Sequence, residues 1–183
     1  YIAAERAGSR GKRVLLIEKD HLGGVCTNWG CIPTKSLLNS AKLYRHAKES
    51  ESMGVVAESV AFNLERAMAW KRETIETLRS GIQFLMKSNN VTVLQGEAEC
   101  VDSHHVRVGD KLYEGKNLII ATGSSPVIPP IDGHDLPHVM TSNEVLELET
   151  LPQSIVIIGG GVIGIEFASF FASVGVTVSV VEM

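Results

Sequence analysis

The stretch that most restricts the fold runs from Ser154 to Glu182. Ser154-Ile155-Val156-Ile157-Ile158 is an apolar run of strand length, and Gly159-Gly160-Gly161-Val162-Ile163-Gly164 follows it directly. The hexapeptide fits G-x-G-x-x-G, with Gly159, Gly161 and Gly164 at the glycine positions. A helix is expected from about Ile165, then a break at Gly175, then a strand over Val176–Val181 that ends at Glu182. The fingerprint thus has a strand before it, a helix after it and an acid about twenty residues on. The glycines permit a tight turn and close approach of backbone to a pyrophosphate, and the helix start meets the phosphates. Glu182 can accept hydrogen bonds from ribose hydroxyls; the plainer reading of it is a solvated strand end. Such a unit predicts an α/β chain with parallel strands.

The N-terminal residues repeat the second half of that unit. A shift of 164 positions lays Gly11 on Gly175, Val14 on Val178 and Glu18 on Glu182. Tyr1 to Gly8 reads as a helix rich in small residues, and Lys12 to Glu18 as a strand closed by an acid. The last fingerprint glycine falls just before Tyr1. The expectation is an internal fragment that starts after a first G-x-G-x-x-G, with Glu18 serving a first nucleotide site as Glu182 serves a second.

Between these units lies Gly23-Gly24-Val25-Cys26-Thr27-Asn28-Trp29-Gly30-Cys31-Ile32-Pro33-Thr34-Lys35. It reads as a glycine-bounded loop that runs into a helix at Pro33, whose missing N–H costs nothing in a first turn. Cys31 is then at or just before a helix start, where the dipole favours a thiolate, and Lys35 adds a positive charge one turn on. Cys26 is near enough in sequence to close a disulfide with it. A structural disulfide, or two ordinary buried thiols, is the plainer alternative; the nucleotide patterns on both sides favour a redox-active pair. Cys100, in a strand-like stretch, is expected to be a buried bystander.

Composition narrows the class. The 183 residues are 44% hydrophobic and 21% charged, with a net charge of -4. That reads as soluble and globular, and argues against nucleic acid or an anionic membrane as partner. Three cysteines do not make a secreted disulfide framework, and a reactive pair fits a reducing cytoplasm. No metal site is expected. The adjacent His104 and His105 would point to opposite faces of a strand, which suits surface residues.

Elsewhere, Pro33 to Glu49 is expected to be helical, and a long helix from Leu64 to Lys87 carries Leu64, Met68, Ile75, Leu78, Ile82 and Leu85 on one stripe. Val91–Leu94, Val101–Val108 and Lys111–Tyr113 read as an antiparallel meander, with Gly96 a place of close approach for a ligand or backbone. Asn117 to Ile120 reads as a strand that enters the small-residue turn Ala121-Thr122-Gly123-Ser124. Pro126 to Pro152 reads as a linker.

Together these segments resemble the flavin-dependent pyridine nucleotide–disulfide oxidoreductases, over the whole chain. The resemblance rests on Glu18, the cysteine motif through Lys35, Ala121 to Ser124, Gly159 to Glu166, and Glu182. It implies two Rossmann-like FAD/NAD(P)-binding units with a β-meander insertion, both truncated. Residues 1–150 would form the FAD-binding domain, without its first strand and glycine loop, and 151–183 the start of the NAD-binding domain. FAD would be held by Glu18, by the loop from Lys19 through Gly23 and Gly24 to Cys26, by Gly96, and by Thr122, Gly123 and Ser124. Lys35 would lie near the flavin and pair with Glu166. NAD would meet Gly159, Gly161, Val162, Ile163, Gly164 and Glu182, whose carboxylate repels a 2′-phosphate.

The same resemblance implies that Cys26 exchanges with substrate and that Cys31 is the flavin-side thiolate. Asn28 to Lys35 looks more like the members acting on lipoamide than those acting on glutathione. Dihydrolipoamide, or the lipoyl domain of a 2-oxoacid dehydrogenase complex, would then be the partner, for a homodimer in the cytoplasm or, in a eukaryote, the mitochondrial matrix. A glutathione-type or mercuric reductase is the nearest alternative, and a non-catalytic nucleotide-binding fragment the one from another class. The family's downstream His-Glu pair lies beyond Met183, so this fragment is expected to bind FAD poorly and not to turn over alone.

Overall fold

Glycine and proline cut the apolar periodicities into short elements, and the computed structural model describes residues 1–182 of the chain. In chain order they are α1 (Ile2–Ser9), β1 (Val14–Glu18), α2 (Gly24–Trp29), α3 (Cys31–Glu49), a 3-10 turn (Ser50–Met53), α4 (Leu64–Ser88), β2 (Val91–Gln95), β3 (Ala98–Cys100), β4 (His105–Val108), β5 (Lys111–Glu114), α5 (Ser142–Val145), β6 (Ser154–Ile158), α6 (Val162–Ser173) and β7 (Thr177–Val181). The fold is mixed α/β. Packing divides it into two compact units: Tyr1–Asn28 with Glu76–Ser125, and Trp29–Ile75 with the segment from Pro126 onward. This is a division by contact. The division at 150/151 expected above is one by cofactor motif.

In the first unit β1 and β2 run parallel, with Val14 opposite Val91 and Glu18 opposite Gln95. Ala4, Met86 and Val91 are buried together, and Val14, Leu16, Leu22 and Leu85 pack around them. The expected meander therefore loses its first member. Val91–Leu94 pairs with β1 because a long helical connection returns the chain to run in the same direction, the condition for a parallel pair. The antiparallel sheet is β3–β4–β5 instead. Of the expected strand Val101–Val108 only His105–Val108 forms. The Asp102 carboxylate accepts the N–H groups of His104 (2.7 Å) and His105 (2.8 Å), which turns the chain before β4. Those bonds, with the His105 ring, hold the Asp102 carboxyl below its ordinary value.

Asn117–Ile120, expected as a strand, joins no sheet among the described residues, and Ile119 and Ile120 are exposed. A strand exists through its hydrogen-bonded neighbour, and none of the described strands pairs with this run.

In the second unit β6 and β7 are parallel, Ser154 opposite Thr177 and Ile158 opposite Val181, with α6 as the connection. Ile155 and Ile157 pack on the core, whereas Val156 and Ile158 are exposed. The core takes Leu37 and Ala41 from α3, Leu64, Ala67 and Met68 from α4, Val145 and Leu146, and Phe167, Phe170 and Phe171 from α6. Phe170 and Phe171 meet edge to face with centroids 5.1 Å apart. Each fully buried ring of this kind contributes roughly 1.5–3 kcal/mol by area alone.

The linker is anchored rather than loose. Lys71 of α4 is wholly buried, and its ammonium donates to the Leu146 carbonyl and to Glu147 Oε1. Ahead of it, Thr141 and Glu144 form a capping box on α5. The Thr141 hydroxyl, first among the causes, holds the Glu144 carboxyl below its ordinary value.

A depressed carboxylate contributes stability that is present above its unfolded pKa and is lost as pH falls through the folded one. Thr141→Ala is expected to cost about 1 kcal/mol at neutral pH. Glu144→Gln is expected to flatten the loss of stability seen on acidification through the carboxylate range. Urea titrations from neutral pH into that range measure both.

Candidate redox and nucleotide-binding site

The glycine-bounded segment expected as a loop is itself helical. Gly24–Trp29 forms α2, and α3 then begins at Cys31, two residues before the expected Pro33. Six residues do not sustain a helix by propensity. A buried side chain holds this one. Asn28 is 4% exposed, and its Nδ2 donates to the carbonyls of His21 and Leu22 (3.3 Å each) and of Gly24 (2.9 Å). Its Oδ1 accepts from Arg79 Nε at 2.6 Å. Gly23 has left-handed backbone (φ +117), and the Thr27 side chain stands 2.7 Å from where its Cβ would lie. No other residue fits that corner without moving Thr27.

Cys26 is carried by α2 in the first unit, and Cys31 opens α3 in the second. Both are exposed thiols, and the described residues contain no disulfide. Cys100 is also exposed, not buried: all three residues of β3 face solvent, so forming a strand does not by itself place it in a core. Gly30 caps α3 without a side-chain bond, and the Thr34 hydroxyl closes the first turn on the Gly30 carbonyl at 2.7 Å.

Of the remaining first-unit residues, Glu18 and Gly96 lie at the end of the parallel pair. Glu18 ends β1, and its Oε1 accepts the Asp20 N–H at 2.9 Å. Gly96 extends the ladder, its N–H donating to the Glu18 carbonyl at 2.9 Å. Lys19 makes only a long surface pair with Glu97, 3.6 Å away. Thr122, Gly123 and Ser124 are exposed, and the Cβ position of Gly123 lies 3.8 Å from Val25 in the cysteine segment. The carboxylate, the small-residue turn and the Cys26 helix thus belong to one packed unit. That donor and acceptor set suits a ribose and an extended cofactor.

In the second unit Lys35 Nζ is paired with Glu166 Oε1, joining α3 to α6 across 131 positions of sequence. Lys35 remains half exposed. The glycine turn from Gly159 leads to Gly161, the N-cap of α6, followed by Val162 and Ile163. No side chain caps this helix, and no acidic residue lies in its first turn. Its positive end is therefore open to an anion. A Cβ on Gly164 would stand 2.1 Å from the Gly159 carbonyl oxygen, so only glycine lets the helix sit this close to the strand end. Glu182 reaches back so that its Oε2 accepts the Gly160 N–H. The turn, the open helix end and the carboxylate fit a dinucleotide.

The sequence profile of the pyridine nucleotide-disulphide oxidoreductases matches residues 1–183. The chain belongs to that family. Dihydrolipoyl dehydrogenase of Acholeplasma laidlawii is 43% identical to it, over 100% of this chain and 56% of the relative. That of Geobacillus stearothermophilus is 42% identical, over 100% of this chain and 39% of the relative. Among solved structures, the HOCl-induced flavoprotein disulfide reductase RclA of Escherichia coli superimposes with a TM-score of 0.84 at 34% identity, covering 99% of this chain and 39% of that one. The chain thus spans about two-fifths to just over half the length of these relatives. Its family is that of the flavoprotein disulfide oxidoreductases.

Sequence reasoning missed Arg79 and the work of Asn28. Asn28 lies inside the quoted motif, but its partner is 51 positions away on α4, and side-chain periodicity carries no sign of that bond. No helix among the described residues is long and apolar enough to cross a membrane, and no group of three or more potential metal ligands occurs among them.

Gly164→Ala is expected to force α6 from the strand end, costing about 1–3 kcal/mol of stability. Dinucleotide affinity should fall at least about tenfold with it, since the helix start is displaced from the phosphates. Calorimetric melting and equilibrium binding of NADH to the intact protein check the two effects.

Proposed function

We propose that the intact protein is a dihydrolipoyl dehydrogenase, passing two electrons from dihydrolipoamide through a Cys26–Cys31 disulfide and FAD to NAD+. The observation that carries this reading is the cysteine motif at the head of α3, in a chain matched along its whole length by enzymes of that name.

The chain's own residues supply the exchange. A substrate thiolate attacks Cys26 Sγ, the disulfide bond breaks, and Cys31 leaves as the thiolate at the positive end of α3. The second substrate thiol, deprotonated by a base, attacks the substrate sulfur of the mixed disulfide. A cyclic substrate disulfide closes, and Cys26 is released and protonated. Substrate has lost two electrons and the cysteine pair has gained them. FAD, when bound, supplies the acceptor that restores the disulfide and returns the electrons to NAD+ as hydride. Lys35, paired with Glu166, would place a positive charge beside the flavin. Glu18, the Lys19–Cys26 loop, Gly96 and Thr122–Ser124 would hold FAD. Gly159 to Gly164 would hold the nicotinamide nucleotide, and Glu182 would favour NAD by repelling a 2′-phosphate.

In this reading residues 1–150 are the FAD-binding part and 151–183 open the NAD-binding part. The partner is the lipoyl domain of a 2-oxoacid dehydrogenase complex, met by a homodimer in the cytoplasm or mitochondrial matrix. The likeness to RclA favours one second reading, a disulfide reductase that serves no such complex.

Turnover with dihydrolipoamide and NAD+ is expected to exceed that with glutathione disulfide and NADPH by about a hundredfold or more, the order of discrimination that positioned polar groups give an enzyme for its own substrates. The reverse order, or activity confined to other oxidants, overturns the assignment. Two-electron reduction should raise a long-wavelength absorption that Cys31→Ser abolishes. Its survival in that variant removes Cys31 from the flavin-side role.

A further inference from the structure

We propose that Arg79 is a positioning residue for the interchange cysteine, acting through the Asn28 carboxamide. The inference rests on the redox role given above to Cys26 and Cys31.

Asn28 has an acceptor end and a donor end, and its surroundings distinguish them. Three backbone carbonyls, of His21, Leu22 and Gly24, surround Nδ2. None can donate. Arg79 faces Oδ1 at 2.6 Å and has no acceptor. A flipped amide would set oxygen against three carbonyls and an NH2 group against a guanidinium. Arg79 therefore fixes the amide, and the amide gathers the chain from His21 to Gly24 around α2, the helix that carries Cys26. The bond is charge-assisted and short, and the Arg79 side chain is only 20% exposed, so water does not readily replace it. Without it the buried Oδ1 loses its donor, and the six-residue helix keeps no fixed orientation. The guanidinium has a further neighbour in Glu76, whose carboxylate is 3.8 Å away and exposed. That contact cannot hold the amide in its place.

A cysteine held in one place closes a disulfide more readily than one that samples several, in proportion to the population of the competent arrangement. The measurable exchange is Cys26–Cys31 disulfide plus reduced dithiothreitol giving the two protein thiols plus oxidised dithiothreitol. In the flavin-loaded full-length protein, Arg79→Met is expected to shift this equilibrium toward the protein dithiol by about tenfold, a typical result of losing one charge-assisted bond. The thermal midpoint should fall by a few degrees, because a buried acceptor loses its donor, and Arg79→Lys should restore most of that too. Arg79→Lys, which keeps a donor within reach of Oδ1, should recover most of the shift. Arg79→Leu, which likewise carries no donor, is read in place of the methionine variant if that one fails to fold.

An equilibrium in Arg79→Met within about twofold of the parent overturns the inference. So does a shift that Arg79→Lys leaves unrelieved, which would mark Arg79 as a packing residue. If the parent itself forms no Cys26–Cys31 disulfide, it is the redox reading that fails.

Discussion

The ion pair between Lys35 and Glu166 joins the helix that begins at a cysteine to the helix that begins at a glycine turn. α3 and α6 pack together in one core, with Leu37 and Ala41 of the first against the phenylalanines of the second. Two helix starts that suit negative charge are thereby carried by one rigid set of contacts. A charge pair with one half-exposed member contributes little stability. Its value is geometric. It limits where the Lys35 ammonium can go, and the hydrophobic packing around Phe170 and Phe171 supplies the energy that keeps both helices in place.

The other half of the proposed chemistry is held by different means. α2 is too short to be stable alone and too irregular in pattern to be seen in advance. Its order comes from one asparagine whose NH2 group shares its two hydrogens among three backbone carbonyls and whose oxygen accepts from Arg79. A cysteine on such a helix owes its place to a polar network rather than to a core. Networks of this kind specify position strongly and fail together when one member is lost.

What could be read from the sequence was what local pattern controls. The run Ser154–Ile158, the glycine turn and Glu182 announced β6, α6 and β7, because strand period, turn glycines and helix period each act within a few residues. The same holds for α1, β1 and the long helix α4. What could not be read depends on distant partners. β2 paired with β1 and not with the meander, since pairing depends on where a helical connection returns the chain. Asn117–Ile120 has strand composition without a strand partner, and Cys100 lies on β3, which is exposed along its whole length. Lys71 would be placed on the surface by its charge, yet it is wholly buried because the Leu146 carbonyl and Glu147 accept hydrogen bonds from its ammonium.

The account stands on Cys26 and Cys31 forming the reversible pair while Cys100 does not take part. Peptide mass mapping of the native full-length protein, alkylated before and after mild oxidation, tests this most directly. The account predicts that oxidation removes two hydrogens from the peptide spanning Cys26 and Cys31 and blocks both from alkylation. Cys100 should remain alkylatable throughout. Cys26 and Cys31 both staying open to alkylation after oxidation, or a bond formed to Cys100 instead, would contradict it.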